Sequence, residues 1–342
     1  MKAVVVERPH EVAYREVEAP PVGPEDVLVE SRAAGLCRTD IEMMTGVFTD
    51  PRWVRFPVIP GHEWAGVVVE VGRDVELVAP GDRVVCEGMI PCFTCRPCQR
   101  GETHWCERIE ALGFTRPGGY AELVCVPARV VHRLPDHVSF DAGVLIEPAS
   151  VVLHGLEKAA PQPGETVAVI GVGTLGALAI ALLRLHSPAR IAAYGVREEE
   201  LELARQLGAS DVALAGDSAR FEGELDLVVE TAGAPEAVGL ATALCRPGGR
   251  AVLLGIAGEG RTLTLPSDLL VGKDMALIGS IAYPASVWSR VVGLVSERVL
   301  DVDPIVTHHF PASDFAAAID LMDHRRGIVA KIVLEHGGAA RR

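Results

Sequence analysis

Four cysteines form the most compact group of candidate metal ligands in the chain. Cys92, Cys95, Cys98 and Cys106 follow the spacing C-x2-C-x2-C-x7-C. The two-residue gaps let tight turns bring neighbouring sulfurs to one ion, and four thiolates at about 2.3 Å form the closed tetrahedral site of a structural zinc. A disulfide pair is the alternative for such a cluster, and His104 could replace one thiolate. A long chain with cysteines concentrated in one short segment favours zinc over disulfides.

Three shorter fragments offer further ligands, far apart in the sequence. Cys37 lies in G-L-C-R-T-D, His62 and Glu63 lie in P-G-H-E, and Glu147 lies in I-E-P-A-S. Thiolate, imidazole and carboxylate groups all bind zinc, and a catalytic zinc keeps one position open for water or substrate. Each residue also has an ordinary interpretation as a buried thiol, a turn histidine or a helix-surface carboxylate. Spacing alone does not show that these residues meet.

A glycine-rich turn supplies the candidate cofactor site. The sequence V-A-V-I-G-V-G-T-L-G contains Gly171, Gly173 and Gly176, and Thr174 and Leu175 complete the turn. In such a turn the first glycine allows a tight bend, the second lets backbone approach a pyrophosphate, and the third lets helix and strand pack closely. The N-terminus of the following helix presents partial positive charge to the phosphates. Between a predicted strand and a predicted helix, the pattern indicates a dinucleotide site.

The end of the next strand favours NADP(H) over NAD(H). NAD-binding folds carry an acidic residue about 20 residues after the glycine turn, but here the strand reads I-A-A-Y-G-V-R. Gly195 takes the place of the acid, and Arg197 follows. Without that carboxylate a 2′-phosphate meets no repulsion, and an arginine can bind it with a charge-assisted fork. The alternative is that Arg197 only begins a solvated helix.

The elements that would position these residues change type along the chain. Residues 1–135 contain short valine-rich runs separated by Pro, Gly and Asp, which predict a β-barrel-like domain with long loops. From Ser139 onward strands alternate with helices, which predicts a doubly wound parallel sheet. The predicted strands of that sheet are Thr166–Ile170, Arg190–Tyr194, Asp211–Leu214, Leu225–Glu230, Ala251–Ile256 and Ala276–Ser280. The predicted helices are Asp141–Lys158 (kinked by Pro148), Thr174–Leu185, Glu198–Leu207, Pro235–Leu244 and, in a return segment that ends with strand Ile328–Leu334, Ser313–Asp323.

Charge and composition exclude several classes of function. The 342 residues carry a formal net charge of −14, whereas binding to nucleic acid or to anionic membranes needs clustered Lys and Arg. The uncharged stretch Thr166–Leu183 could pass for a membrane span, but glycines interrupt it, and a buried strand, turn and helix explain it better. The N-terminal apolar run is too short for a signal peptide. We therefore expect a cytoplasmic protein without nucleic-acid or membrane partners.

Together these fragments resemble a zinc-dependent medium-chain dehydrogenase/reductase of the alcohol and polyol dehydrogenase branch. The C-x-T-D and G-H-E fragments, the four-cysteine lobe, the E-P fragment, the glycine turn and the return segment occur in the family's order over nearly the whole length. The resemblance implies an α/β architecture in three parts. A GroES-like β-barrel catalytic domain would cover residues 1–149, a Rossmann doubly wound parallel sheet 150–295, and a C-terminal segment, 296–342, would return to the catalytic domain.

The resemblance further implies two zinc ions per chain. Cys37, His62 and Glu147 would hold the catalytic ion, with Glu63 as a neighbouring group or alternative ligand, and the four-cysteine lobe would hold the structural ion. Glutamate rather than cysteine at position 147 is similar to the polyol and threonine dehydrogenase branch.

Other roles also follow from the resemblance. Thr39 would take the alcohol proton into a hydrogen-bonded relay, and Arg38 would contact the cofactor pyrophosphate. Glu42 stands where many relatives carry a relay histidine, so it is either the proton outlet or an ordinary surface carboxylate. The residues that would border the zinc cleft as an apolar wall, unless they are core packing, are Phe48, Trp53 and Phe114.

The leading hypothesis is a zinc-dependent oxidoreductase that uses NADP(H) and a secondary alcohol, polyol or sugar-like substrate, or the matching ketone. The alternative is an amino-alcohol dehydrogenase of the threonine or aminocyclitol type, with NAD(H) as a second choice of cofactor. A non-catalytic binder of the same fold has no need for the complete ligand set. The apolar run Ala276–Ser280 would form an exposed sheet edge, and pairing that edge across a two-fold axis predicts a homo-oligomer, a dimer or a tetramer.

Overall fold

A computed structural model describes residues 1–217, 220–258 and 260–336. Its strands are β1 (Lys2–Arg8), β2 (Glu11–Glu16), β3 (Asp26–Leu36), β4 (Trp64–Val71), β5 (Arg83–Cys86), β6 (Met89–Ile90), β7 (Glu110–Ala111), β8 (Leu123–Pro127), β9 (Val131–Arg133), β10 (Thr166–Ile170), β11 (Arg190–Gly195), β12 (Asp211–Leu214), β13 (Leu225–Glu230), β14 (Cys245–Leu253), β15 (Ala276–Gly279), β16 (Val306–Pro311) and β17 (Lys331–Glu335). Its α-helices are α1 (Arg38–Met44), α2 (Arg96–Gln99), α3 (Phe140–Val144), α4 (Ile146–Ala159), α5 (Thr174–Arg184), α6 (Glu198–Gln206), α7 (Pro235–Leu244), α8 (Ser267–Gly272), α9 (Ala285–Ser296) and α10 (Phe315–His324).

Six strands form the parallel sheet that the alternating pattern predicts. Their order is β12-β11-β10-β13-β14-β15, and each neighbouring pair is parallel. The order reverses direction beside β10, which carries the glycine turn at its carboxyl end, and ligands bind at such a switch point in open α/β sheets. The predicted fold class is therefore confirmed. Three strands differ in extent from the prediction: β14 runs from Cys245 to Leu253 rather than from Ala251 to Ile256, β11 ends one residue later, at Gly195, and β15 ends one residue earlier, at Gly279.

The second large sheet joins both ends of the chain. Its order is β16-β17-β3-β4-β5-β9, and β8 also pairs with β3. The C-terminal strand β17 runs antiparallel to β3, so the end of the described chain lies beside the strand that leads to Cys37. The domain limits 1–149, 150–295 and 296–342 stay a prediction, and residues 337–342 lie outside the described part of the chain.

Two helices replace the predicted kinked helix before the parallel sheet. The Ser139 hydroxyl accepts the backbone N–H of Ala142 at 2.9 Å and caps α3, which ends at Val144. The break follows from Pro148, because a proline ring clashes with the carbonyl four residues earlier. Helix α4 then begins at Ile146, so Glu147 lies in its first turn.

Helix α9 was not anticipated from the sequence. Its buried residues Val287, Trp288, Val291 and Val295 recur at helical spacing, and they belong to the hydrophobic core cluster that also contains the buried face of α4. Valine has a weak helix propensity, so burial rather than propensity stabilises this helix. Within the described residues, no helix combines the length and apolar character required to cross a membrane.

Candidate functional site

Cys37 lies at the junction between β3 and α1. Its backbone is extended, with φ −108° and ψ 151°, and it occupies the N-cap position of the helix. The Asp40 carboxylate accepts the backbone N–H of Cys37 at 3.1 Å, which fixes the turn. The sequence therefore places the Cys37 thiol at the N-terminus of α1, at the end of β3.

The same carboxylate also lies beside His62. Nδ1 of His62 lies 3.4 Å from Oδ1 of Asp40, and the hydroxyl of Tyr120 donates to Oδ2 of Asp40 at 2.8 Å. A carboxylate beside one ring nitrogen orients the imidazole and leaves Nε2 for a metal. Gly61, which precedes His62, has φ +98° and lies against Tyr120, so a side chain there would displace the histidine.

The ligand atoms of Cys37, His62 and Glu63 lie within 4.8 Å of one another. The side chains of Asp40 and Glu63 are almost fully buried beside His62. Burial opposes protonation of His62, but the negative charges of Asp40 and Cys37 raise its pKa well above the usual value. Negative groups that favour a proton at this position also favour a cation, and thiolate, imidazole and carboxylate match the preferences of zinc. The residues present therefore fit a zinc ion.

A buried lysine neutralises Glu63. Lys331 at the start of β17 is 1% exposed, and its Nζ donates to Oε2 of Glu63 and to the carbonyl of Leu36 at 3.3 Å. Burial alone would lower the pKa of Lys331, but the negative charges of Glu63 and Cys37 raise it. Lys331 thus remains protonated and takes part of the charge that Glu63 could offer to a metal.

Glu147 lies next to this cluster but outside the group of atoms that meet within 4.8 Å among the described residues. Burial is the main reason that its pKa is raised to about 7, while His62 and Lys331 oppose that rise. Tyr283 also acts to lower the pKa of Glu147, and its hydroxyl accepts the backbone N–H of Gly88 at 3.2 Å. Zinc ligation by Glu63 and by Glu147 therefore stays a prediction.

The residues expected to move a proton lie on α1. Thr39 is partly buried, two residues beyond Cys37. Glu42 is partly buried as well; burial raises the pKa of its carboxyl group, and Arg38 opposes that rise. Arg38, expected at the pyrophosphate, forms an ion pair with Oδ1 of Asp323 at 2.5 Å.

One of the three expected pocket residues lies beside His62, and a second packs against the first. The Phe114 ring lies 5.0 Å from the His62 ring, and Phe48 packs edge-to-face on Phe114 at 6.0 Å. Both also contact the core cluster of the β-rich sheet, so they serve packing as well. Trp53 lies in the turn after Asp50 and is 39% exposed, and its role in a pocket stays a prediction.

The four-cysteine lobe is compact and its thiols are free. The ligand atoms of Cys92, Cys95, Cys98 and Cys106 lie within 4.8 Å of one another. Backbone N–H groups donate to two of the sulfurs, from Cys95 to Cys92 at 3.3 Å and from Arg108 to Cys106 at 3.3 Å. Hydrogen bonds from the Thr94 hydroxyl and backbone lower the pKa of Cys92 to about 5. This arrangement fits a tetrahedral structural zinc, and the ring of His104 instead lies 4.9 Å from that of His154.

The glycine turn has the geometry that its pattern predicts. Gly171 has φ +89°, and a Cβ atom on Gly176 would lie 1.8 Å from the carbonyl oxygen of Gly171. A Cβ atom on Gly173 would meet no atom within 4 Å, so the space in front of α5 is open. Thr174 donates to the carbonyl of Ala330 at 2.7 Å, and Leu175 packs against the core cluster beneath the turn. The turn therefore fits a pyrophosphate.

The end of β11 is more occupied than the sequence indicates. A Cβ atom on Gly195 would lie 3.0 Å from Oε2 of Glu200, so a carboxylate from α6 stands beside the glycine. Arg197 contacts that carboxylate and donates to the carbonyls of Arg325 and Gly327. The guanidinium donors of Arg197 that contact these groups are the ones expected to bind a 2′-phosphate. Phosphate binding by Arg197 stays a prediction.

Sequence reasoning missed several residues that build the site. Asp40 was within reach, because it lies in the quoted C-R-T-D fragment three residues from Cys37. Tyr120, Tyr283 and Lys331 carry no local signal, since each reaches the site from a distant part of the chain.

Comparisons with known proteins agree with this geometry. Residues 23–136 match the family described as the alcohol dehydrogenase GroES-like domain, and residues 140–334 match the glucose dehydrogenase C-terminus. The chain is 31% identical to an L-threonine 3-dehydrogenase of Bacillus velezensis over 98% of each chain. It is 32% identical to an erythritol/L-threitol dehydrogenase of Mycolicibacterium smegmatis over 94% of each. A solved structure described as a zinc-binding dehydrogenase from Sinorhizobium meliloti, bound to NADP, superposes with a TM-score of 0.90 at 30% identity over 98% of each chain.

These matches span both halves of the chain and nearly its whole length. They agree with the GroES-like and parallel sheets, the glycine turn and the two clusters of metal-ligating residues. The chain belongs to the zinc-type medium-chain dehydrogenase/reductase family.

Proposed function

We propose that this chain is a zinc-dependent oxidoreductase that transfers hydride between NADP(H) and a secondary alcohol, polyol or sugar-like substrate, or the matching ketone. The observation that carries the proposal is the meeting of Cys37, His62 and Glu63 within 4.8 Å in a chain that also holds an open glycine turn. The similarity to a polyol dehydrogenase and to an NADP-bound structure supports the substrate class and the cofactor.

The chain's own residues account for binding and proton transfer. A zinc ion held by Cys37, His62 and either Glu63 or Glu147 would supply Lewis acidity to the substrate oxygen, and bound NADP⁺ would accept the hydride. The Asp40 carboxylate, whose Oδ1 lies 3.4 Å from Nδ1 of His62, would orient the ring by its charge.

Proton release would use α1. Thr39 would accept the alcohol proton while giving up its own hydroxyl proton to the relay, and the Glu42 carboxylate would receive a proton from the relay and release it to solvent. Burial raises the pKa of Glu42, which makes its carboxylate a stronger base than an exposed one, and a general base works best when its pKa approaches the working pH.

The aromatic side chains at and next to Phe114 would exclude water and hold the apolar part of the substrate. Phe48 and Phe114 form one wall through their edge-to-face contact. Trp53 would add a flat face and an N–H donor for a hydroxylated substrate.

The second candidate is an amino-alcohol dehydrogenase, which the 31% identity to an L-threonine 3-dehydrogenase favours. An amino group needs a buried acceptor, whereas a polyol needs paired donors and acceptors, so substrate preference separates the two. The first experiment is initial-rate absorbance at 340 nm with NADP⁺ and NAD⁺ against secondary alcohols, polyols, aldoses and amino alcohols. Turnover confined to amino alcohols, or a clear preference for NAD⁺, would reject the leading proposal.

Zinc content tests the metal sites and the non-catalytic alternative together. We expect about two zinc ions per chain, one in each cluster. Cys37→Ser should lower the content to about one and abolish turnover, whereas the control Cys125→Ser, outside both clusters, should change neither. A single zinc in the unaltered protein would mean that only the four-cysteine lobe is filled.

Association would follow from the edge of the parallel sheet. Strand β15 is the last strand of that sheet among the described residues, and pairing it with a second copy would cover the edge. We propose a homo-oligomer, a dimer or tetramer, acting in the cytoplasm on a small molecule, and light scattering of the purified protein tests its size.

A further inference from the structure

Two guanidinium groups converge on one buried carboxylate at the end of β11. The Nε of Arg197 and the Nη1 of Arg325 lie 3.4 Å and 3.2 Å from the same oxygen, Oε1 of Glu200. The Glu200 side chain is 4% exposed, and its other oxygen accepts the backbone N–H of Val196 at 2.9 Å. The cluster therefore stands directly after Gly195, where dinucleotide folds bind the adenosine ribose.

The charges of this cluster do not balance. One carboxylate neutralises one guanidinium, which leaves one positive charge beside the expected ribose. Glu198 and Glu199 follow in the first turn of α6 and are exposed; among the described residues, the ion pairs of Arg197 and Arg325 go to Glu200 and not to these two carboxylates. A surplus cation at this position favours an anionic group on the ribose.

The two arginines differ in how many of their guanidinium donors already bond to other groups of the protein. Arg197 is 26% exposed and donates to the backbone carbonyls of Arg325 and Gly327, so it holds the turn that follows α10. Arg325 is the residue of that turn with left-handed backbone, φ 43° and ψ 54°. Its side chain is 43% exposed beyond its contact with Glu200, which leaves donors for a ligand.

We propose that Arg325 binds the adenosine 2′-phosphate of NADP(H), while Arg197 positions the turn that presents Arg325. The inference rests on the proposed preference for NADP(H) and names the residue that confers it. Arginine suits this role because its planar fork matches phosphate oxygens. The specificity residue thus comes from the C-terminal segment, far in sequence from the glycine turn.

Equilibrium binding tests the proposal without turnover. Calorimetry at constant ionic strength would compare adenosine 2′,5′-bisphosphate with 5′-AMP, which lacks only the 2′-phosphate, and NADP⁺ with NAD⁺. For Arg325→Ala we expect the 2′-phosphorylated ligands to bind about 10- to 100-fold more weakly, the range for one charge-assisted contact. Binding of 5′-AMP and NAD⁺ should stay within about threefold.

Two variants control for charge and for folding. Arg326→Ala removes the same charge from the next residue, which is 70% exposed and paired with Asp320, and it should leave both ligands unchanged. Arg325→Lys keeps the charge without the fork and should retain part of the preference.

The outcomes separate this inference from the proposed function. Tighter binding of NAD⁺ than NADP⁺ by the unaltered protein would reject the proposed cofactor. A preference for NADP⁺ that survives Arg325→Ala would overturn only the role of Arg325. Equal weakening of both ligand classes, or an equal effect of Arg326→Ala, would also overturn it, because the effect would then be one of loop structure or general charge.

Discussion

Lys331→Met is expected to destabilise the protein strongly. The lysine is 1% exposed and Glu63 is 2% exposed, so removing the ammonium leaves a carboxylate buried without its cation. Breaking a buried ion pair by removing one partner costs about 3–5 kcal/mol. Methionine fills a similar volume, so the loss measures charge rather than a cavity.

The expected shift in melting temperature follows from the size of the chain. Unfolding entropy near 2.1 cal/mol/K per residue gives about 0.7 kcal/mol/K if all 342 residues unfold together. A loss of about 3–5 kcal/mol then lowers Tm by about 4–7 °C. Differential scanning calorimetry of the metal-free protein, in which no zinc ion can compensate the charge of Glu63, measures this shift against metal-free unaltered protein.

Two further variants make that result specific. Glu63→Gln together with Lys331→Met removes both charges and should recover at least half of the loss, because replacing a whole buried pair by neutral groups costs little. Lys158→Met removes the same charge from an exposed lysine and should shift Tm by less than about 1 °C. A shift below about 1 °C for Lys331→Met, or a double variant no better than the single one, would refute the reasoning.

Three further outcomes follow from the structure. Gly176→Ala should lower the free energy of unfolding by several kcal/mol, because its Cβ would lie 1.8 Å from a backbone oxygen. Gly173→Ala should leave Tm unchanged and weaken cofactor binding at least about tenfold. Calorimetry measures both quantities, and normal cofactor binding by Gly173→Ala would contradict the role of the open space. Cys95→Ser should remove one zinc and lower Tm with little effect on catalytic-site zinc measured by chelator competition, and loss of both ions would show that the clusters are not independent. Burial lowers the pKa of His336 to about 4, against about 6.5 in the unfolded chain. Between these two pH values the unfolded state binds more protons than the folded state. The free energy of unfolding should therefore fall as the pH drops from about 6.5 to 4, by about 3 kcal/mol. His336→Gln should flatten that part of the stability profile, and an unchanged profile would contradict the buried neutral imidazole.

The elements with regular spacing were predictable because their signals are local. Four elements have the predicted limits: strands β10, β12 and β13 and helix α7. Each is bounded by turn residues and has a single hydrophobic pattern along its length. Helix α9 shows the opposite case, in which buried residues at positions 287, 291 and 295 mark a helix but a valine-rich composition hides it. The periodicity was a better guide there than propensity.

The fragments that supply the candidate ligands could be found in the sequence, but the groups that surround them could not. Cys37, His62 and Glu147 were the expected ligands with Glu63 as the alternative, and the ligand atoms of Cys37, His62 and Glu63 are the ones that lie within 4.8 Å of one another. The partners of Arg197 were not found, because Glu200 approaches Gly195 only through the packing of α6 on the sheet. Sequence spacing shows which residues are close along the chain. The charge around a phosphate or a metal depends instead on residues that are distant in sequence and close in space.

The register of β17 shows how packing sets that charge. Ile332 pairs with Leu36 and Val333 with Gly35 on β3, which brings Lys331 beside the end of β3 that leads to Cys37. Ile332 and Leu334 lie in the core cluster of the β-rich sheet, while Val333 on the other face packs with Val144. A slip of one residue would exchange the two faces and carry Lys331 away from Glu63. The apolar pairing that fixes the register therefore also fixes the cation beside the candidate zinc ligands.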